Sequence, residues 1–154
     1  MMESVFQYEI PVLHPLAVHF PLALLLAAAL TALIWCFRGS RFWRHTTLLL
    51  AGLGSLGALF AYLTGDKMEE QSEGVPIVEE LVDLHEQMAL YTLILAVVST
   101  LAITTFSLLA RRMDARRDPL LSRVLLACLV LLAAALVAWT AHIGATMTWG
   151  VVRS

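Results

Sequence analysis

Five histidines stand in an otherwise strongly apolar chain, and four of them, His14, His19, His85 and His142, fall near the borders of its hydrophobic stretches. Neutral imidazole is the commonest side-chain ligand for metals and haem iron, and an ionisable group at membrane depth is costly enough to mark where ions, protons or cofactors are handled. Two carboxylates stand nearby in sequence. Asp66 and Glu86 have the chemistry to orient a ligand imidazole from behind, as carboxylates beside metal-bound histidines do. Other chemistries are excluded by pattern. Cys36 and Cys128 lie singly inside apolar runs, with no C-x-x-C-H for covalent haem and no thiolate cluster, and read as small packing residues. No Ser/His/Asp order, phosphate loop or nucleotide motif is present, and His85-Glu86 does not continue into H-E-x-x-H because position 89 is alanine. What remains is ligand chemistry without a catalytic nucleophile.

The elements that must position these residues follow from composition. The 154 residues are 60% hydrophobic and 14% charged, with mean hydropathy +0.81, whereas ordinary soluble domains are roughly 45–50% apolar and about 25% charged. A spanning helix needs about 20 mostly apolar residues. Four stretches qualify, at about 15–37, 46–64, 86–110 and 120–142. The expectation is an all-α, integral membrane four-helix bundle forming one domain over residues 1–154. The leader MMESVFQYEI has no Lys or Arg, so the first span is expected to be a retained helix rather than a cleaved signal.

The connections alternate in charge. Arg38, Arg41 and Arg44 fall in the first loop, and Arg111, Arg112, Arg116 and Arg117 in the third, with Arg123 just beyond. The second loop, at about 65–85, holds Asp66, Glu69, Glu70, Glu73, Glu79, Glu80 and Asp83 against Lys67. By the positive-inside rule the arginine loops face the cytoplasm, so both termini and the acidic loop lie outside. Within that loop, Ile77, Leu81 and Leu84 recur at helical spacing after Pro76, which predicts a short surface helix leading into the third span.

Topology then fixes depth. At about 1.5 Å per residue, His14, His19, His85 and His142 all reach the outer leaflet, and only His45 lies at the opposite face. Pro15 suits a first helical position, which would leave His14 as a flanking residue. Pro21 removes a backbone donor and should kink the helix near His19, freeing the carbonyl of Ala17. His19 and His85 are therefore the leading ligand candidates. On the second span, Gly57, Ala61 and Gly65 form a small-xxx-small stripe. It serves either plain helix packing or a flat wall for a planar macrocycle.

HPLAVHFPLALLLAAAL resembles the opening of the bacterial membrane family called domain of unknown function 2231, whose pattern there is approximately H-P-x-x-V-H-F-P. Thr64-Gly65-Asp66, His85-Glu86 and a histidine near Gly144 also match, so the resemblance spans nearly the whole chain. It implies ligand histidines at His14, His19, His85 and His142. Fusions of relatives to Rieske-type or cytochrome c-type domains imply electron transfer at the outer face of the bacterial inner membrane, here with a separate partner.

The leading functional expectation is a b-type haem clamped by two of these histidines, passing electrons between a membrane donor such as quinol and a periplasmic acceptor. Met88 and Met147 are secondary axial candidates, while Phe20, Trp139 and Trp149 read as interfacial anchors. A site for zinc, copper or iron, serving binding or transport, is the second expectation. Against transport, the inner halves of the spans look almost devoid of polar residues. A structural subunit of a respiratory assembly is the third. The lipid bilayer is the expected surrounding, a homo-oligomer is left open, and no nucleic-acid partner is expected.

Overall fold

The computed structural model describes residues 13–65, 76–110 and 118–149, with the side chains of 76–80 and 148 outside that description. Its helices are α1 (His14–Ala17), α2 (His19–Arg38), α3 (Arg41–Leu63), α4 (Pro76–Ala110) and α5 (Leu120–Trp149). Four candidate membrane spans result, His14–Arg38, Arg41–Leu63, Leu81–Ala110 and Leu120–Met147. The all-helical, four-span architecture expected from composition is therefore present. Helices α2, α3, α4 and α5 close into a ring in which each packs against its neighbours in the chain and α5 returns to α2. Consecutive helices run antiparallel, so the bundle has a histidine end (His14, Leu63, His85, Thr140) and an arginine end (Arg38, Arg41, Asp118).

Several boundaries differ from those read from hydropathy. The expected first loop shrinks to Gly39 and Ser40. Gly39 takes φ +64 and its N–H donates to the Trp35 carbonyl at 2.7 Å, while Ser40 is extended at the start of α3. A left-handed glycine just past a helix end reverses the chain at little cost. Arg41 and Arg44 consequently belong to the first turn of α3. The expected surface helix after Pro76 is not separate either, because α4 continues unbroken to Ala110. Its 35 residues reach about 52 Å at ~1.5 Å per residue, against a hydrocarbon core of about 30 Å, so its opening turns project beyond the span. Helix α5 likewise passes His142 and ends at Trp149. A kink is expected at Pro21; the helix is interrupted one turn earlier, at Val18, whose backbone stays close to helical. The missing proline donor and the ring's crowding of the residue-17 carbonyl act one turn earlier than the proline itself.

The interior inverts the pattern of a water-soluble protein. Leu30, Phe37, Leu49, Leu56, Leu101 and Leu121 are among many large apolar side chains that face outward. Inside lie small or polar ones, including Ala28, Ala32, Ala51, Ala96, Thr47, Ser99 and Thr92. Lipid tails are as apolar as leucine, so helices associate through close backbone approach and interhelical hydrogen bonds instead. Each seam carries such a bond. Thr47 donates to Thr31 at 3.1 Å between α3 and α2, Ser55 pairs with Thr100 at 3.0 Å between α3 and α4, and Thr92 pairs with Thr140 at 3.1 Å between α4 and α5. Arg123 closes the ring by donating to the Cys36 carbonyl of α2. These buried hydroxyls extend through the arginine half, so the inner halves are less devoid of polar groups than they look in sequence.

Candidate functional site

At the histidine end the structure joins His85 to His14. Their ring centroids are 6.2 Å apart with an interplanar angle of 82°, and both side chains are half-buried. His14 is the first residue of α1, with Leu13 as its cap, so Pro15 follows it inside the helix and does not exclude it. His14 Nδ1 lies 2.9 Å from the Ala61 carbonyl and 3.3 Å from Thr64 Oγ1. His85 Nδ1 lies 3.0 Å from the Thr140 carbonyl. A carbonyl oxygen only accepts, so Nδ1 carries the proton in both rings. Each neutral imidazole then presents Nε2 as its lone pair, the tautomer that a metal-binding histidine takes when a carbonyl holds its other nitrogen.

Two glycines shape the surroundings. A Cβ placed on Gly144 would stand 3.1 Å from His85 Cε1 and 3.9 Å from its Nε2, and one on Gly65 would stand 3.7 Å from His14 Cε1. The His85 ring therefore packs directly on Gly144, whereas a Cβ at Gly65 would make only an ordinary contact with His14. Positions 140 and 144 are one turn apart and share the face of α5 that meets His85, whereas position 142 is turned about 200° from either by the ~100° helical step.

The remaining expected ligands are placed differently. His142 is exposed and lies against Trp139, with ring centroids 5.6 Å apart. His19 is also exposed, because the five residues that separate it from His14 turn it away from the pair. Sequence reasoning ranked His19 above His14, and the structure reverses that order. His45 is exposed at the arginine end. Phe20, Trp139 and Trp149 point outward, as interfacial anchors do. Asp66 lies outside the described residues. Glu86 is exposed, and Tyr62 donates to its Oε1 at 3.5 Å.

Protein occupies the small-residue stripe. A Cβ on Gly57 would meet Pro21 Cδ and N at 3.2 Å, and one turn on Ala61 offers its carbonyl to His14. The stripe brings the first helix close enough for that bond. Thr64, Thr140 and Gly144 were not singled out as contacts of the imidazoles. The only signal for them was the repeated pairing of a histidine motif with Thr64-Gly65 and with a downstream glycine.

The arginine end holds a second polar assembly that sequence reasoning missed. Arg44 reads in sequence as a loop charge, yet only 1% of it is exposed. It forms an ion pair with Asp118, and its guanidinium lies over the Phe106 ring at 5.6 Å. Trp35 Nε1 donates to the other Asp118 oxygen at 2.9 Å. The Asp118 N–H donates to the Gly39 carbonyl at 3.0 Å, which ties the start of α5 to the α2–α3 turn. Asp118 precedes Pro119 amid arginines, and nothing in that local pattern distinguishes a buried carboxylate from a solvated one.

A family model described as "Predicted membrane protein (DUF2231)" matches residues 10–152. The chain belongs to this family. No curated protein and no solved structure matches the chain. Membership in DUF2231 agrees with the four apolar spans and extends over both the histidine pair and the Arg44–Asp118 assembly, so both belong to the family's part of the chain.

Proposed function

We propose that His14 and His85 hold a b-type haem at the histidine end of the bundle and that the protein transfers electrons there between a membrane donor and a redox partner outside the membrane. The observation that carries this reading is the pair itself. Its imidazoles come from different helices, each has its Nδ1–H committed to a backbone carbonyl, and their centroids are 6.2 Å apart. Two imidazoles sharing one metal through bonds of roughly 2 Å to ring nitrogens stand with centroids about 6 Å apart.

The donor set fits a haem better than a bare ion. Among the described residues no group of three or more His, Cys, Asp or Glu converges. A structural zinc site takes four protein ligands, whereas a porphyrin leaves only two axial positions to the protein. A haem held there supplies reversible one-electron transfer. The protein orients its two ligands through the Ala61 and Thr140 carbonyls and keeps both imidazoles in one tautomer. Arginines concentrate at the opposite end, which supports the histidine end facing the outside of a bacterial inner membrane.

Visible spectra of protein purified from haem-replete cells test the reading. The expected result is a Soret band with a low-spin reduced α-band, abolished by His14→Ala or His85→Ala and retained in His19→Ala and His142→Ala. Edge-to-face packing of two rings uses the same separation, and in that case no Soret band appears and the proposal falls. Stoichiometric zinc or copper in haem-free protein, lost on His85→Ala, would instead establish a bare metal site.

A further inference from the structure

His14 faces His85 and also closes the end of α3. That helix stops at Leu63, and the last carbonyls of a helix have no N–H ahead of them within it. Three of these carbonyls find donors close by. The Thr64 N–H lies 3.2 Å from both the Phe60 and the Ala61 oxygen, and the Gly65 N–H lies 3.1 Å from that of Tyr62. The Thr64 hydroxyl stands 3.1 Å from the Phe60 oxygen and 2.9 Å from that of Ala61. One further donor comes from another helix, since His14 Nδ1–H reaches the Ala61 oxygen at 2.9 Å.

The number of hydrogens and lone pairs decides which donor goes where. The Ala61 oxygen has two lone pairs, and three donors surround it: His14 Nδ1–H, the Thr64 N–H and the Thr64 hydroxyl. The hydroxyl has a second acceptor in the Phe60 carbonyl. The arrangement that crowds neither oxygen sends the hydroxyl to Phe60 and leaves Ala61 to the histidine. Thr64 Oγ1 then keeps its lone pairs for His14 Nδ1–H, 3.3 Å away. One N–H is thus shared between a short and a long acceptor, a three-centre bond of the kind common at helix ends.

His85 is held differently. Its Nδ1–H meets the Thr140 carbonyl at 3.0 Å, nine residues before α5 ends at Trp149. In a continuous helix that oxygen is shared with the N–H four residues on. Ala61 instead lies in the last turn of α3, where the helix carries about half a negative charge. The pull on the Nδ1 hydrogen is therefore stronger at His14 than at His85.

We propose that Thr64 is a positioning residue for His14: with the end of α3 it grips the imidazole N–H and makes His14 the stronger electron donor of the pair. This rests on the haem reading for what the donor strength tunes, the balance between oxidised and reduced iron. The grip itself is a property of the haem-free protein. Wild type, Thr64→Ser and Thr64→Val in phosphatidylcholine nanodiscs test it, because valine keeps the branched shape and removes the hydroxyl. In haem-free protein with 15N-labelled histidine, solvent exchange of the His14 Nδ1 proton should quicken roughly threefold in Thr64→Val, as for one weak neutral hydrogen bond. Thr64→Ser should match wild type, and His85 should be unchanged in both. In haem-loaded protein held at the wild-type midpoint potential, Thr64→Val should raise the reduced-to-oxidised ratio about threefold, since a weaker pull on Nδ1–H makes His14 a poorer donor. Serine should restore that ratio. A general loosening of the helix end would change both histidines and would not be mended by serine. Exchange unchanged at His14, exchange quickened equally at His85, or a ratio unmoved by valine overturns the proposal. Protein that never shows a Soret band removes the haem assignment instead, and the exchange comparison still decides whether Thr64 grips His14.

Discussion

Asp118→Ala should be among the most damaging single substitutions in the protein. The Asp118 carboxylate accepts from Arg44 and from Trp35 Nε1, and the side chains of the ion pair are 2% (Arg44) and 6% (Asp118) exposed. Removing one member of a buried pair leaves the other charge desolvated without its partner, which costs about 3–5 kcal/mol. The orphaned Trp35 donor costs about 1–3 kcal/mol, but the two losses share one carboxylate and do not add. Arg44 sits near the arginine end and can partly snorkel toward water once released, which favours the lower figure, about 3 kcal/mol. Unfolding equilibria of the purified protein in mixed micelles, titrated with sodium dodecyl sulfate, measure this directly. The double variant Arg44→Met with Asp118→Ala should recover most of the loss, because it removes the buried charge along with the carboxylate. Trp35→Phe alone should cost about 1 kcal/mol. A loss below about 1 kcal/mol for Asp118→Ala would refute the reasoning. So would a double variant no more stable than the single one.

Two further outcomes concern glycines. Gly39→Ala forces a Cβ onto φ +64 and within 2.6 Å of Arg123 Nη1, so it should cost about 1–2 kcal/mol from the left-handed conformation alone, measured in the same titration. It should cost more than Asn at that position. Gly144→Ala requires the His85 ring to yield by a few tenths of an ångström, and Gly144→Val requires much more. The expected signature is a modest spectral shift for alanine and a loss of cofactor occupancy of about tenfold for valine, near the upper end of one weakened ligand-orienting hydrogen bond, with far-UV circular dichroism unchanged. Equal occupancy in the valine variant would show that His85 does not hold the cofactor.

What the sequence determined by itself about this protein is everything that sums along the chain. Four spans, an all-helical membrane fold and the placing of His14, His19, His85 and His142 toward the end opposite Arg38 and Arg41 all follow from apolar length and a constant rise per residue. Such quantities average over many positions, so shifted helix ends at Arg41, Pro76 and Trp149 did not disturb them. What only the tertiary structure decided is direction around each axis. His14 and His19 lie five residues apart on a segment interrupted at Val18, and a small change in phase there exchanges the one that meets His85 for the one that faces outward. The same holds for Arg44, a charge in a helix's first turn that is solvated or buried according to whether Asp118, 74 residues away, folds over it. Burial of a charge is a property of its partners, and these come from another helix. Local pattern reports which residues can do chemistry and at what depth. The pairing of His14 with His85, and of Arg44 with Asp118, requires knowing which faces touch.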